Sequence, residues 1–149
     1  MLRASSLFND LRTHSYFRHV YGALLLKLRV EVVKNNSVIA DKCHVAECFF
    51  DRLRGLIGRG SLAPGEAMHF PRCNSVHMWF MRFPIDVVFV RLANKSDGTE
   101  VRVISSVREN IRPWRLLPLV DLKANEALEL PAGVARERNL AVGDEICFG

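Results

Sequence analysis

Apolar and polar positions change period several times along this chain, and each change marks an element. Phe17, Val20, Tyr21, Leu24 and Leu25 recur at helical spacing between Tyr16 and Leu26, after an opening stretch with no firm pattern. Leu28-Arg-Val-Glu-Val then alternates with period two, the mark of a half-buried strand. Asn35-Asn36 supplies a tight turn, because Asn tolerates positive φ, and Ser37 to Ala40 is expected to pair back as a hairpin. Period 3.6 returns over residues 45–57, where Ala46, Phe49, Phe50, Leu53, Leu56 and Ile57 share one face. That segment predicts a helix, closed by Gly58 and Gly60.

Val76-His-Met-Trp-Phe-Met is apolar in both phases and predicts a strand buried on both sides. Pro84 lacks the N–H a ladder needs, so it ends or bends that strand. Ile85 to Leu92 and Glu100 to Val107 are strand-like and flank a polar loop in which Asp97-Gly98 offers the positive φ of a hairpin. A strand at Ala127 to Pro131, a turn at Ala132-Gly133, a short helix, a turn at Gly143-Asp144 and a last strand through Cys147 complete the pattern. No internal repeat or low-complexity segment interrupts it. Strands without regular intervening helices predict a mainly β (α+β) fold with one or two short helices, as a compact antiparallel sandwich or irregular barrel. The 149 residues suit one domain, with residues 1–27 as a partly helical extension and 28–149 as the globular unit.

The net charge of +5 changes the picture only once it is located. Residues 1–34 carry six basic groups against Asp10 and Glu31, whereas the rest carries fifteen basic and fourteen acidic groups. A nucleic-acid reader needs a basic face on its folded body, and this body is nearly neutral, so nucleic acid is not the expected partner. The even count of four cysteines (Cys43, Cys48, Cys73, Cys147) would suit disulfides in an exported protein. The one candidate export segment, Val20 to Leu26, is broken by Gly22, ends at Lys27 and has no cleavage pattern after it. No run approaches the ~18 apolar residues of a transmembrane segment. The expectation is a cytoplasmic protein with reduced thiols, whose basic N-terminal segment either packs on the domain or touches an anionic membrane surface.

Six segments occur in an order that carries a family resemblance. They are Asp51-Arg-Leu-Arg-Gly-Leu-Ile-Gly-Arg59, Gly65-Glu-Ala-Met68, His77-Met-Trp-Phe-Met-Arg-Phe-Pro-Ile-Asp86, Pro113-Trp-Arg115, Leu128-Glu-Leu-Pro-Ala-Gly133 and Gly143-Asp144. Together they resemble the domain-of-unknown-function family 192, a mostly prokaryotic set of small proteins. The resemblance implies a compact β-rich fold and no established activity. Many relatives look exported, and this chain departs from them in its N-terminal segment.

Candidate chemistry is weighed against packing. Cys73 with His77 and Cys43 with Cys48 are zinc-ligand types, but residues four apart on a strand lie ~13 Å apart, so no metal or other cofactor is expected. A Cys73–His77 nucleophile pair lacks any Gly-rich elbow for an oxyanion hole. Arg54 and Arg59 complement the C-terminal end of the predicted helix. Pro113-Trp114-Arg115 places an amphipathic ring beside a guanidinium in a loop, and the alternative is a lid in which Arg115 pairs with Glu129. Arg82 and Asp86 bracket a bend at Phe83-Pro84-Ile85 and are expected to meet, with His77 within reach of their network. The leading expectation is an accessory binding module, holding a small ligand or protein segment in a cleft lined by His77, Trp79, Arg82, Asp86 and Trp114, with Arg115 and Glu129 nearby. The alternatives are a small hydrolase or lyase using Asp86 and His77 as acid and base, and a structural partner in a larger assembly.

Overall fold

The computed structural model describes residues 27–33, 36–46 and 56–149. β1 (Lys27–Val32) turns at Asn36, whose φ is 51°, and pairs antiparallel with β2 (Ser37–Val45). β3 (Glu66–Pro71), β4 (Ser75–Val76), β5 (Ile85–Asn94) and β6 (Glu100–Ile111) follow. Then come β7 (Leu119–Val120), β8 (Glu126–Pro131), a one-turn helix α1 (Val134–Glu137) and β9 (Glu145–Phe148). The β5–β6 hairpin turns where the sequence pattern puts it, with Gly98 at φ 82°.

Seven strands close into a barrel in the order β1-β2-β3-β8-β5-β6-β9, and β1 meets β9 to seal it. β4 and β7 form a separate two-stranded ladder. The fold is thus the irregular barrel of the sequence reading, mainly β with a short helix. One pairing departs from the antiparallel expectation: β2 and β3 run parallel. A parallel pair needs a long crossover, which residues 46–65 provide.

Ile85 to Val90 are all buried because β5 separates two cores and its side chains alternate between them. Val88 and Val90 join Val30, Ile39, Cys43, Ala67, Ile104, Leu128 and Ile146 inside the barrel. Val87 and Phe89 face outward with Met68, Phe70 and Ala127. That outer face is covered by Leu56, Leu62, Val76, Met78, Met81, Leu119 and Ala124 from the connecting segments.

Two elements differ from expectation. The strand predicted over Val76 to Met81 stops at Val76, and Phe80 turns to φ 63°. The apolar run is divided: Val76, Met78 and Met81 enter the outer core while Trp79 and Phe80 face solvent. β2 continues to Val45, where the predicted helix 45–57 would begin. Most of that helix lies outside the described residues, as does the one at Tyr16–Leu26. No helix among the described residues is long and apolar enough to cross a membrane.

Candidate functional site

The register of the β5–β6 hairpin decides where the site forms. Ile85 pairs with Ile111, so the segment entering β5 and the segment leaving β6 start side by side. The β4–β7 ladder pairs Val76 with Leu119 and ties the same two segments at their other ends. Between these clamps the backbone N–H of Trp114 donates to the Met78 carbonyl at 3.0 Å. The indole N–H of Trp79 donates to the Leu116 carbonyl, also at 3.0 Å. The inward side chains Val76, Met78, Met81 and Leu119 leave their neighbours no place but the surface.

What reaches the surface is an aromatic cluster. His77 stacks on Trp79 with ring centres 5.2 Å apart, and Phe80 meets Trp114 edge-on at 5.4 Å. Phe80 and Trp114 both hold positive φ, 63° and 59°. For bulky residues such a conformation costs on the order of 1–3 kcal/mol and is retained only where the surroundings enforce it. Trp114 is 61% exposed, Leu116 83% and Leu122 86%, and Leu117 and Val120 are also exposed. Exposed apolar side chains gathered on one segment, as at Trp114, Leu116 and Leu117, mark interaction sites on protein surfaces.

Charge on the segments that carry the cluster is mostly basic. Arg82, Arg112, Arg115 and Lys123 are exposed on these segments, and residues 72–84 contain no acid. Asp121 is the one acidic residue of 112–123, and its Oδ2 accepts hydrogen bonds from Ser105 and Ser106 at 2.7 Å each. Partial burial raises its pKa, but the two serine hydrogen bonds outweigh that and hold the carboxyl below its usual range.

The structure brings His77, Trp79, Trp114 and Arg115 to this surface and leaves Asp86 and Glu129 elsewhere. Asp86 is fully buried at the start of β5. Its carboxylate accepts from the backbone N–H groups of Asn110 (2.7 Å), Gly133 (2.9 Å) and Ala135 (2.9 Å). The expected meeting with Arg82 therefore gives way to backbone donors: Asp86 fixes the end of β6 and the first turn of α1, and Arg82 extends into solvent. Gly133, the N-cap of α1, has no side chain with which to cap, and Asp86 takes that role from the neighbouring strand β5. Arg115 does not reach Glu129 either; its Nε donates to the Leu117 carbonyl at 3.0 Å. Glu129 sits in register with Met68 and Val87, and its Oε2 is buried with no hydrogen-bond partner among the described residues. Burial pushes its carboxyl up to about 8.

The cysteine pairings do not assemble. Cys43 faces the barrel interior, where burial pushes its thiol up to about 12, and Cys73 donates to the Ser75 carbonyl at 3.1 Å. Cys48 lies outside the described residues. Among those described, no group of three His, Cys, Asp or Glu side chains could hold a metal ion.

Sequence reasoning placed no weight on Phe80, Leu116, Leu117 or Leu122, which read as core by hydropathy. It also missed a polar cluster in which His69 Nε2 and Arg102 Nε both approach Glu126 Oε2 at 3.0 Å. Burial raises the Glu126 pKa, and the two hydrogen bonds more than reverse it. Since the carboxylate only accepts, Nε2 of His69 carries the hydrogen, and its buried Nδ1 has no hydrogen-bond partner among the described residues. Glu126 borders a cleft of about 340 Å³ lined by Pro71, Arg72, Cys73, Asn74, Leu92, Ala124 and Asn125.

Known proteins place this architecture. A solved protein of unknown function from Novosphingobium aromaticivorans superposes with a TM-score of 0.67 at 22% identity, over 87% of this chain and 89% of its own. A Sinorhizobium meliloti structure described as a "putative transcription regulator" gives 0.62 at 24% identity, over 82% of this chain and 92% of its own. At these identities the likeness carries the fold alone. A UPF0127 protein from Thermococcus sibiricus is 32% identical over 114 residues, spanning 74% of this chain and 68% of the relative. Residues 30–148 match the family model DUF192, described as "Uncharacterized ACR". This chain belongs to the DUF192 family, the family its six ordered segments resemble.

Proposed function

We propose that this protein is a non-catalytic binding module that engages its partner through the surface built by Trp79, Phe80, Trp114 and Leu116, with Arg82 and Arg115 beside it. One observation carries the reading: two tryptophans and a phenylalanine are held out to solvent by positive-φ backbone and loop-to-loop hydrogen bonds. A fold accepts that strain and exposure where contact with something else repays it. Tryptophan and arginine together are also the residue types enriched at binding hot spots. The acid–base alternative finds less support, because Asp86 gives its oxygens to backbone amides and His77 lies against Trp79.

The family match over residues 30–148 supports taking 28–149 as the binding unit and 1–27 as an extension of it. The compartment we propose is the cytoplasm, where Cys73 and the exposed Cys147 would stay reduced.

A photo-crosslinking amino acid placed at position 114 in living cells tests the reading. The same probe at Val142, exposed but distant in sequence from these segments, serves as the control. An adduct formed at 114 and absent at 142 is the expected result. No adduct at 114, or equal adducts at both, counts against a binding role for this surface.

A further inference from the structure

We infer that the partner of this surface is an anionic lipid membrane, a step that rests on the binding-module reading above. Shape is the first argument. Leu116, Leu117 and Leu122 are 83%, 71% and 86% exposed, so they project from the protein instead of lining a groove. A bound helix or extended peptide needs a groove or a free strand edge; the main sheet is a closed ring, and β4 and β7 beside the tip are strands of two residues, too short a template for a peptide. A lipid interface asks only for a protruding apolar tip.

Chemistry is the second argument. Tryptophan side chains are enriched at the level of lipid headgroups, where an apolar ring and a polar edge are both accommodated. Trp79 already has its N–H bonded to Leu116, so the two loops arrive preordered and little conformational freedom is lost on docking. Leucines beside them supply the apolar area that enters the acyl boundary.

Charge is the third, and it selects the lipid. Arg82, Arg112, Arg115 and Lys123 are exposed on the segments that carry the apolar tip, while Asp121, the one acid of residues 112–123, is bonded to Ser105 and Ser106. Each cation near an anionic leaflet adds to binding and loses its effect as salt rises. The same charges argue against a second copy of the chain, because a two-fold contact sets like charges face to face.

The test uses the full chain and vesicles of phosphatidylcholine with or without phosphatidylglycerol. Sedimentation should retain the protein on phosphatidylglycerol vesicles, release it at high salt and leave it largely unbound on phosphatidylcholine alone. Tryptophan emission should shift to the blue only when vesicles retain the protein. The double variant Leu116→Ser/Leu117→Ser should keep its melting temperature and circular dichroism and lose at least about tenfold in vesicle affinity. Arg112→Gln/Arg115→Gln should weaken binding to anionic vesicles by roughly tenfold and flatten its salt dependence.

The inference is overturned if the wild type binds no vesicles, or if the leucine variant binds as well as wild type. The second result would assign retention to the basic residues of 1–34, which both proteins share. A protein adduct at position 114 without vesicle binding, or a dimer dissolved by the leucine variant, sinks the membrane partner and leaves the binding module standing. No adduct of any kind at 114 removes both.

Discussion

Trp79 donates its indole N–H to the carbonyl oxygen of Leu116, 37 residues further along the chain, at 3.0 Å. With the Trp114 N–H on the Met78 carbonyl, this bond makes one surface of two loops. Trp79→Phe keeps a ring and deletes the donor. Because the bond is exposed, the loss of global stability should stay below about 1 kcal/mol. Hydrogen exchange at the Trp114 amide should nonetheless speed up as the loops part. Unchanged exchange there would show that Trp79 does not hold the loop.

Asp86 and Arg82 should behave very differently when truncated. Asp86→Ala strands three backbone donors in or near the core, and its cost should be about 3–5 kcal/mol, read as a large fall in melting temperature. Asp86→Asn retains one acceptor oxygen and should recover part of that loss. Arg82→Ala should stay within about 0.5 kcal/mol of wild type, since its side chain lies in solvent. Equal losses at both positions would restore the ion pair that the sequence suggests.

Glu129 makes a pH prediction whose sign follows from its environment. Its carboxyl is raised from an ordinary 4.5 to about 8 by burial, so the folded state keeps a proton that the unfolded chain releases. That contribution to stability is complete below about 4.5 and disappears as pH rises towards 8. Glu129→Gln should therefore stabilise the protein at pH 8, by on the order of a few kcal/mol, and have little effect at pH 4. Asp121 and Glu126, both held below their usual range, act in the opposite sense and weaken the fold as acid protonates them. Melting curves of wild type and Glu129→Gln across this range decide it. An Oε2 that has found a partner would show no gain at pH 8.

Thiol chemistry should separate by position. The Cys147 thiol is exposed and should react with a disulfide reagent in the native protein, whereas Cys43 should react only after unfolding. Burial in the barrel interior, with its thiol pushed up to about 12, leaves Cys43 almost no thiolate at neutral pH. Fast labelling of Cys43 in native protein would mean that the barrel opens readily.

The parts of this fold that were legible in the sequence are those decided locally. Asp97-Gly98 between two alternating runs specifies the β5–β6 hairpin by turn chemistry alone, and Asn36 does the same for β1–β2. β3 gives no such signal, because Glu66 to Pro71 mixes acid, His and apolar residues in a strand buried on both faces. The site was half legible. Trp114 and Arg115 are visible as loop residues beside Pro113, but Leu116, Leu117 and Leu122 look like core until two distant loops are paired. Hydropathy gives Met78 and Trp79 the same character, and the pairing of Ile85 with Ile111 helps decide which turns inward. The Arg82–Asp86 expectation failed for a related reason: three backbone donors from β6 and the start of α1 outcompete a side chain four residues back, and none is near Asp86 in sequence.

The seal between β1 and β9 gives the short first strand a weight out of proportion to its length. β1 contacts β2 on one side and β9 on the other, so it occupies the only position that keeps both from being edges. A cut before Lys27 spares the ring. A proteolytic nick between Val33 and Asn36 that released β1 would uncover two rows of unpaired amides and carbonyls at once. Either row could recruit a strand from another molecule, so damage to this one ribbon would convert a self-contained protein into a seed for aggregation.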